Sequence, residues 1–131
     1  MILVDSSAWI EYLRATDSPT DERLTHLLLS GGELLATTDV VLMEVLAGAR
    51  DEAELRALRR LLGAAEFLAV EGPADYEAAA ALHRRCRRGG ETPRSLSDCL
   101  IAAVALRANA QLLHADRDFE LIARHTTLVL A

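Results

Sequence analysis

Along the chain, the spacing of apolar residues switches repeatedly between two patterns. Short β-branched or leucine-rich runs at 2–4, 34–38, 67–70, 112–114 and 127–130 read as strands. Between them, at 7–14, 21–29, 40–50, 51–62, 74–87 and 97–108, apolar residues recur three and four apart, as on one face of a helix. Gly31-Gly32, Gly63, Gly89-Gly90 and Pro93 separate the segments. Strands that alternate with helices pair in parallel through crossovers, so the predicted fold class is α/β. It comprises one domain over residues 1–131, with a parallel sheet of about five strands flanked by helices. Open parallel sheets bind ligands at the carboxyl ends of their strands, where strand order reverses. Asp5 ends the first strand and Asp116 follows the strand at 112–114, so both are expected at that edge.

Composition narrows the picture. The chain has 131 residues, enough for one domain with a hydrophobic core; it is 51% apolar but only 4% aromatic, which suits helices on aliphatic strands. No apolar run reaches the roughly 18 residues of a membrane span, and the opening residues read as a strand rather than a signal peptide. Cys86 and Cys99 fit no metal-binding spacing, so a cytoplasmic protein with reduced thiols is expected. All 14 basic residues are Arg against 20 acids, and the net charge of −6 argues against non-specific coating of nucleic acid. A nuclease that gathers acids around a metal and keeps a local basic strip remains compatible with that balance.

The acids at strand ends and in apolar helices are the candidate chemistry. Asp5 closes the first strand; a helix N-cap would explain it, although Ser6 or Ser7 could cap equally well. Glu44 lies in the apolar run 40–47, is expected to be mostly buried, and has no Arg three or four residues away to pair with. Asp98 completes a capping-box pattern with Ser95, and a first-turn carboxylate can also face a metal. Asp116 opens a turn and short helix; Asp118 is expected to cap that turn or to act, like Ser7, from just outside the ligand set. Four carboxylates held together repel one another unless a cation neutralises them, and an all-oxygen set suits Mg²⁺ or Mn²⁺ better than Zn²⁺. Such an ion lowers the pKa of bound water and polarises a phosphoryl oxygen.

These residues resemble the PIN-domain family, in particular the VapC-type toxins of bacterial toxin–antitoxin pairs, over the whole chain. Ile2-Leu3-Val4-Asp5-Ser6-Ser7 is similar to the family's opening strand, aspartate and hydroxyl residue. Glu44 before Leu46-Ala47-Gly48 is similar to its helix-borne glutamate, and Ser97-Asp98 through Ile101-Ala102-Ala103 to its third acid. The run from Leu112 to Phe119, through Asp116, is similar to its last strand and fourth acid, with His114 where the family often has a small hydroxyl residue. The resemblance implies Mg²⁺-dependent endonucleolytic cleavage of structured RNA such as tRNA or rRNA. It also implies homodimerisation and inhibition by a small VapB-type antitoxin. It makes Asp5, Asp98 and Asp116 metal ligands, with Glu44 completing the site by ligation or by orienting the attacking water.

Other residues admit two readings. Arg84, Arg85, Arg87 and Arg88, with Arg94 beyond the glycines, are either a solvated helix end or a track for RNA backbone leading to Asp98. Trp9, Tyr12 and Leu13 form a stripe for core packing or for an antitoxin groove. The four histidines show no ligand spacing. An RNA-maturation nuclease without an antitoxin is the alternative function. A receiver-like Mg²⁺-binding signalling domain fits less well, because Asp5 is followed by Ser6-Ser7 rather than a second acid and the chain has no Lys.

Overall fold

The change of period along the sequence becomes a change of element in space. In the computed structural model, which describes residues 1–131, the order is β1 (Ile2–Val4), α1 (Ser6–Leu13), α2 (Pro19–Ser30), β2 (Leu35–Thr37), α3 (Asp39–Ala47) and α4 (Glu52–Gly63). It continues with β3 (Glu66–Phe67), α5 (Gly72–Arg88), α6 (Leu96–Arg107), β4 (Gln111–Leu113) and α7 (Arg117–His125). The strands form one parallel sheet in the order β3-β2-β1-β4, with Leu3 opposite Ala36 on one side and Leu112 on the other. β1 is wholly buried, as a continuous apolar run in a parallel sheet should be.

The segment at 127–130 contributes one bridge, Leu112 to Leu130, rather than a full strand. The run at 67–70 pairs only at its start. Leu68 N still donates to Thr37 O, but Val70 N donates to the Asp39 side chain at 2.6 Å, which turns the chain off the sheet.

Local chemistry fixes the helix ends. Ser18 caps α2 and Asp51 caps α4, while Gly31 ends α2 in the left-handed conformation (φ 61°) that glycine adopts without strain. α6 is the central helix: every residue from Asp98 to Ala105 is buried. Its small residues Ala102, Ala103 and Ala105 let α5 and the sheet approach closely. The far end of this helix pair is tied by Arg107, whose Nε donates to Asp75 at 2.9 Å and whose Nη2 donates to Ala69 O at 2.8 Å. No helix is long and apolar enough to cross a membrane.

The chain runs β1, β2, β3 in one direction and then returns to place β4 on the other side of β1. Strand order therefore reverses between β1 and β4. Asp5 N donates to Leu113 O at 2.9 Å, which joins the two strand ends on either side of that crevice.

Candidate active site

Asp5 does two jobs at the end of β1. Its Oδ2 caps α1 by accepting from Ser7 N at 2.9 Å and also accepts from Ser7 Oγ. The Ser7 hydroxyl oxygen in turn accepts from Ala115 N at 2.9 Å, so one serine locks the β1 aspartate to the loop after β4. The other oxygen, Asp5 Oδ1, is buried and has no hydrogen-bond partner. The capping role thus occupies one oxygen of Asp5 and leaves the other free.

At the start of α6, Ser95 caps the helix by accepting from Asp98 N at 3.3 Å. In a capping box the residue at the Asp98 position would return a bond to the backbone N–H of the cap. That donor is already taken: Ser95 N, together with Arg94 N, donates to Asp118 Oδ2 at 3.1 and 2.8 Å. Asp98 is thereby released from capping, and its buried Oδ2 has no partner.

Asp118 is buried and anchors α7 to the start of α6 through Oδ2. Asp116 is half-exposed and caps α7 by accepting from Asp118 N at 2.9 Å; its own N–H donates to His114 Nδ1 at 3.1 Å. One oxygen from each of Asp98, Asp116 and Asp118 can lie within 4.8 Å of the others.

Glu44 differs from expectation in one respect. The apolar run around it does not bury it: Val40, Val41 and Val45 face inward, while Met43 and Glu44 are exposed. Its carboxylate nevertheless reaches the cluster, accepting from Ser6 Oγ at 3.2 Å.

The convergence shows in how hard these acids are to ionise. Burial pushes the Asp98 carboxyl up to about 8, and the negative charges of Asp5, Asp116, Asp118 and Glu44 push in the same direction. Asp5 is also raised, first by burial, against the opposing hydrogen bonds from Ser7. Glu44 is raised by partial burial and then by Asp5. Unpartnered buried carboxylate oxygens are expensive for a fold. Here Asp5 Oδ1 and Asp98 Oδ2 are the two, on the carboxyls that burial makes hardest to ionise. The donor set therefore fits a divalent hard cation.

Arg84, Arg85, Arg87 and Arg88 are exposed at the last turns of α5, the end of that helix that leads into α6. Arg94 behaves differently, since its guanidinium turns onto the acids: Nε lies 3.5 Å from Asp118 Oδ1 and Nη2 lies 4.0 Å from Asp116 Oδ1. Trp9 is core, whereas Leu13 and Ile10 are exposed and line, with Val45, Leu58 and Glu44, a groove of about 560 Å³. Cys86 and Cys99 are both buried and unpaired. The sequence offered Ser6 only as an alternative helix cap, whereas its hydroxyl holds Glu44, and it gave His114 no role. Their side chains act only through residues distant in sequence or through a loop backbone, so no spacing pattern marks them.

Comparison with known proteins agrees with this geometry. The PIN domain family matches residues 2–125. Ribonuclease VapC11 of Mycobacterium tuberculosis is 44% identical over 131 residues, covering 100% of this chain and 98% of that protein. VapC ribonuclease Mb1587 of Mycobacterium bovis is related to the same degree, 44% identical over 131 residues. Among solved structures, VapBC2 from Rickettsia felis bound to a DNA fragment from its promoter has the same fold. Its TM-score is 0.74 at 18% identity, over 100% of this chain and 98% of that one. VapBC-1 from nontypeable Haemophilus influenzae likewise superposes with a TM-score of 0.74 at 22% identity, over 100% and 97% of the two chains. The strand-end acids, the parallel sheet that gathers them and the full-length likeness converge: the chain belongs to the PIN-domain family, among its VapC ribonucleases.

Proposed function

We propose that this protein is a Mg²⁺-dependent endoribonuclease, the toxin of a type II toxin–antitoxin pair, acting on structured RNA such as tRNA or rRNA. The observation that supports it most is the pair of buried, unpartnered oxygens Asp5 Oδ1 and Asp98 Oδ2 within one cluster of acids. Asp5, Asp98 and Asp116 would hold the ion. A bound Mg²⁺, or Mn²⁺ in its place, neutralises the cluster and acts as a Lewis acid towards a phosphodiester. Asp118 holds the start of α6 through Oδ2 and so positions Asp98, while its Oδ1, loosely paired with Arg94, lies close enough to Asp98 and Asp116 to share in the ligation. Glu44, held by Ser6, completes the ligation or orients the attacking water; its raised pKa suits it to taking that water's proton. The water oxygen would bond to phosphorus, its proton passing to Glu44, as the bond from phosphorus to one ribose oxygen breaks and that oxygen takes a proton from solvent. Ser7 keeps Asp5 in place throughout.

Arg84, Arg85, Arg87 and Arg88 supply backbone contacts for RNA beside this end of α6. A VapB-type antitoxin is the inhibitory partner, with homodimers of this chain in the complex. Support comes from the solved relatives, VapBC assemblies at full coverage, and from the apolar groove that reaches Glu44.

The test is RNA cleavage with Mg²⁺ and with chelator, for the parent and for Asp5→Ala, Glu44→Ala and Asp98→Ala. Each variant should lose about a hundredfold or more in rate, while Glu77→Ala, an exposed control on α5, should retain the parent's rate. Full activity in chelator, or equal loss in the control, refutes the assignment.

A further inference from the structure

The cluster of acids contains a cation of its own. Of all the basic groups in the chain, only Arg94 comes within 4.0 Å of a cluster carboxylate. Two features make its hold loose. The distances, 3.5 Å to Asp118 Oδ1 and 4.0 Å to Asp116 Oδ1, are those of ion pairs rather than of short hydrogen bonds, and its side chain is 67% exposed. By contrast, the backbone of the same residue is held tightly, Arg94 N donating to Asp118 Oδ2 at 2.8 Å. A fixed backbone with a loosely paired side chain is the geometry of a counterion that can leave without disturbing the site.

We propose that Arg94 is the built-in counterion of the metal-free cluster, and that a divalent cation binding there competes with its guanidinium for Asp116. This rests on the metal-dependent reading above. Asp5, Asp98, Asp116, Asp118 and Glu44 bring five carboxyl groups together in the fold. One loosely held positive charge offsets part of their repulsion while no ion is bound. Once an ion arrives, the same charge opposes it, because two cations then compete for the oxygens of Asp116. Arg94 is thus a positioning residue that stabilises the empty site and weakens its affinity for metal. The Arg94→Lys variant keeps a charge on a flexible stem but loses the planar fork, so it should lie between the parent and Arg94→Ala.

The experiment is Mn²⁺ titration of the full chain by calorimetry, at fixed ionic strength and without RNA, for the parent, Arg94→Ala, Arg94→Gln and Arg94→Lys. The two neutral variants should bind Mn²⁺ about fivefold to tenfold more tightly than the parent, the gain being limited by solvent around the exposed guanidinium. Arg94→Lys should fall between them. The metal-free neutral variants should melt below the parent, a gap that saturating Mn²⁺ closes. Equal or weaker Mn²⁺ affinity in both neutral variants overturns the role of Arg94 and leaves the metal site standing. A parent that binds no Mn²⁺ overturns the metal reading itself, and this inference with it. A structural role alone would lower the melting temperature with and without Mn²⁺ and would not tighten binding.

Discussion

Asp98→Asn should make the metal-free protein more stable while abolishing cleavage. In the unfolded chain Asp98 ionises near its ordinary value of 3.8, whereas in the fold it holds its proton up to about 8. The native state therefore binds the extra proton, and stability falls as pH rises between those two values; the loss is complete above about 8. Asn removes the charge and keeps an acceptor oxygen. It disturbs no cap, because Ser95 N is already bonded to Asp118. Each tenfold change in proton affinity is worth about 1.4 kcal/mol. Water around exposed Glu44 and half-exposed Asp116 screens the repulsion, which brings the expected gain to about 3 kcal/mol at pH 9. For a domain of this size that is about 10 °C in melting temperature. The gap should close towards pH 4. Adding Mg²⁺ at about a hundred times its dissociation constant should raise the parent's stability by about 2.7 kcal/mol and the variant's far less. Thermal melts of both proteins at pH 5, 7 and 9, in chelator and in Mg²⁺, measure all of this. A variant that melts below the parent at pH 9 in chelator, or that gains as much from Mg²⁺ as the parent, refutes the reasoning.

Ser7→Ala removes the hydroxyl that joins Asp5 to Ala115 N and should lower both stability, by about 1–2 kcal/mol in urea unfolding, and cleavage, by about tenfold. Neutralising two of Arg84, Arg85, Arg87 and Arg88 should flatten the salt dependence of RNA binding by about 0.7 of a log unit per lost single-strand contact; an unchanged slope returns them to a solvated helix end. Asp75→Asn weakens the pair between buried Asp75 and the exposed Arg107 at the opposite end of α5 and α6 and should destabilise the fold by about 1–2 kcal/mol, yet leave Mn²⁺ affinity in calorimetry at the parent's value. Arg107 holds the Asp75 carboxyl below its usual range, so this pair's contribution is present at neutral pH and is lost as pH falls through that lowered value.

The sequence made the elements legible because hydrophobic period is a local property. The strand at Ile2–Val4 and the helices after it sit where their spacing puts them. The failures are non-local. The 127–130 run has strand composition but makes a single bridge to Leu112 on the free edge of the short strand β4. Glu44 sits among apolar residues, yet on a helix whose outer face reaches solvent, and sequence neighbours say little about that. Among the candidate acids, Glu44 stood out because no local role explains it, whereas Asp5, Asp98 and Asp116 each have a local capping or turn role and were singled out by their place at strand ends and helix starts and by the family resemblance. The division of labour between Asp98 and Asp118 could not. Asp118 bonds backbone N–H groups 23 and 24 residues upstream, and only the packing of α7 against α6 brings them together. Arg94 was read with the exposed arginines of α5 for the same reason.

The order of the strands also bears on when this protein becomes dangerous. β1 is made first, but its partner β4 begins at Gln111, and the aspartate that places Asp98 is residue 118. Domains emerge from the ribosome with the N-terminus leading, and parallel pairing waits until both strands are present. No chain shorter than 118 residues holds the complete set of acids. On the proposed function, an enzyme that destroys RNA, translated by a machine built of RNA, stays inert through most of its own synthesis. The interval in which an inhibitor must find it starts only when the last elements fold.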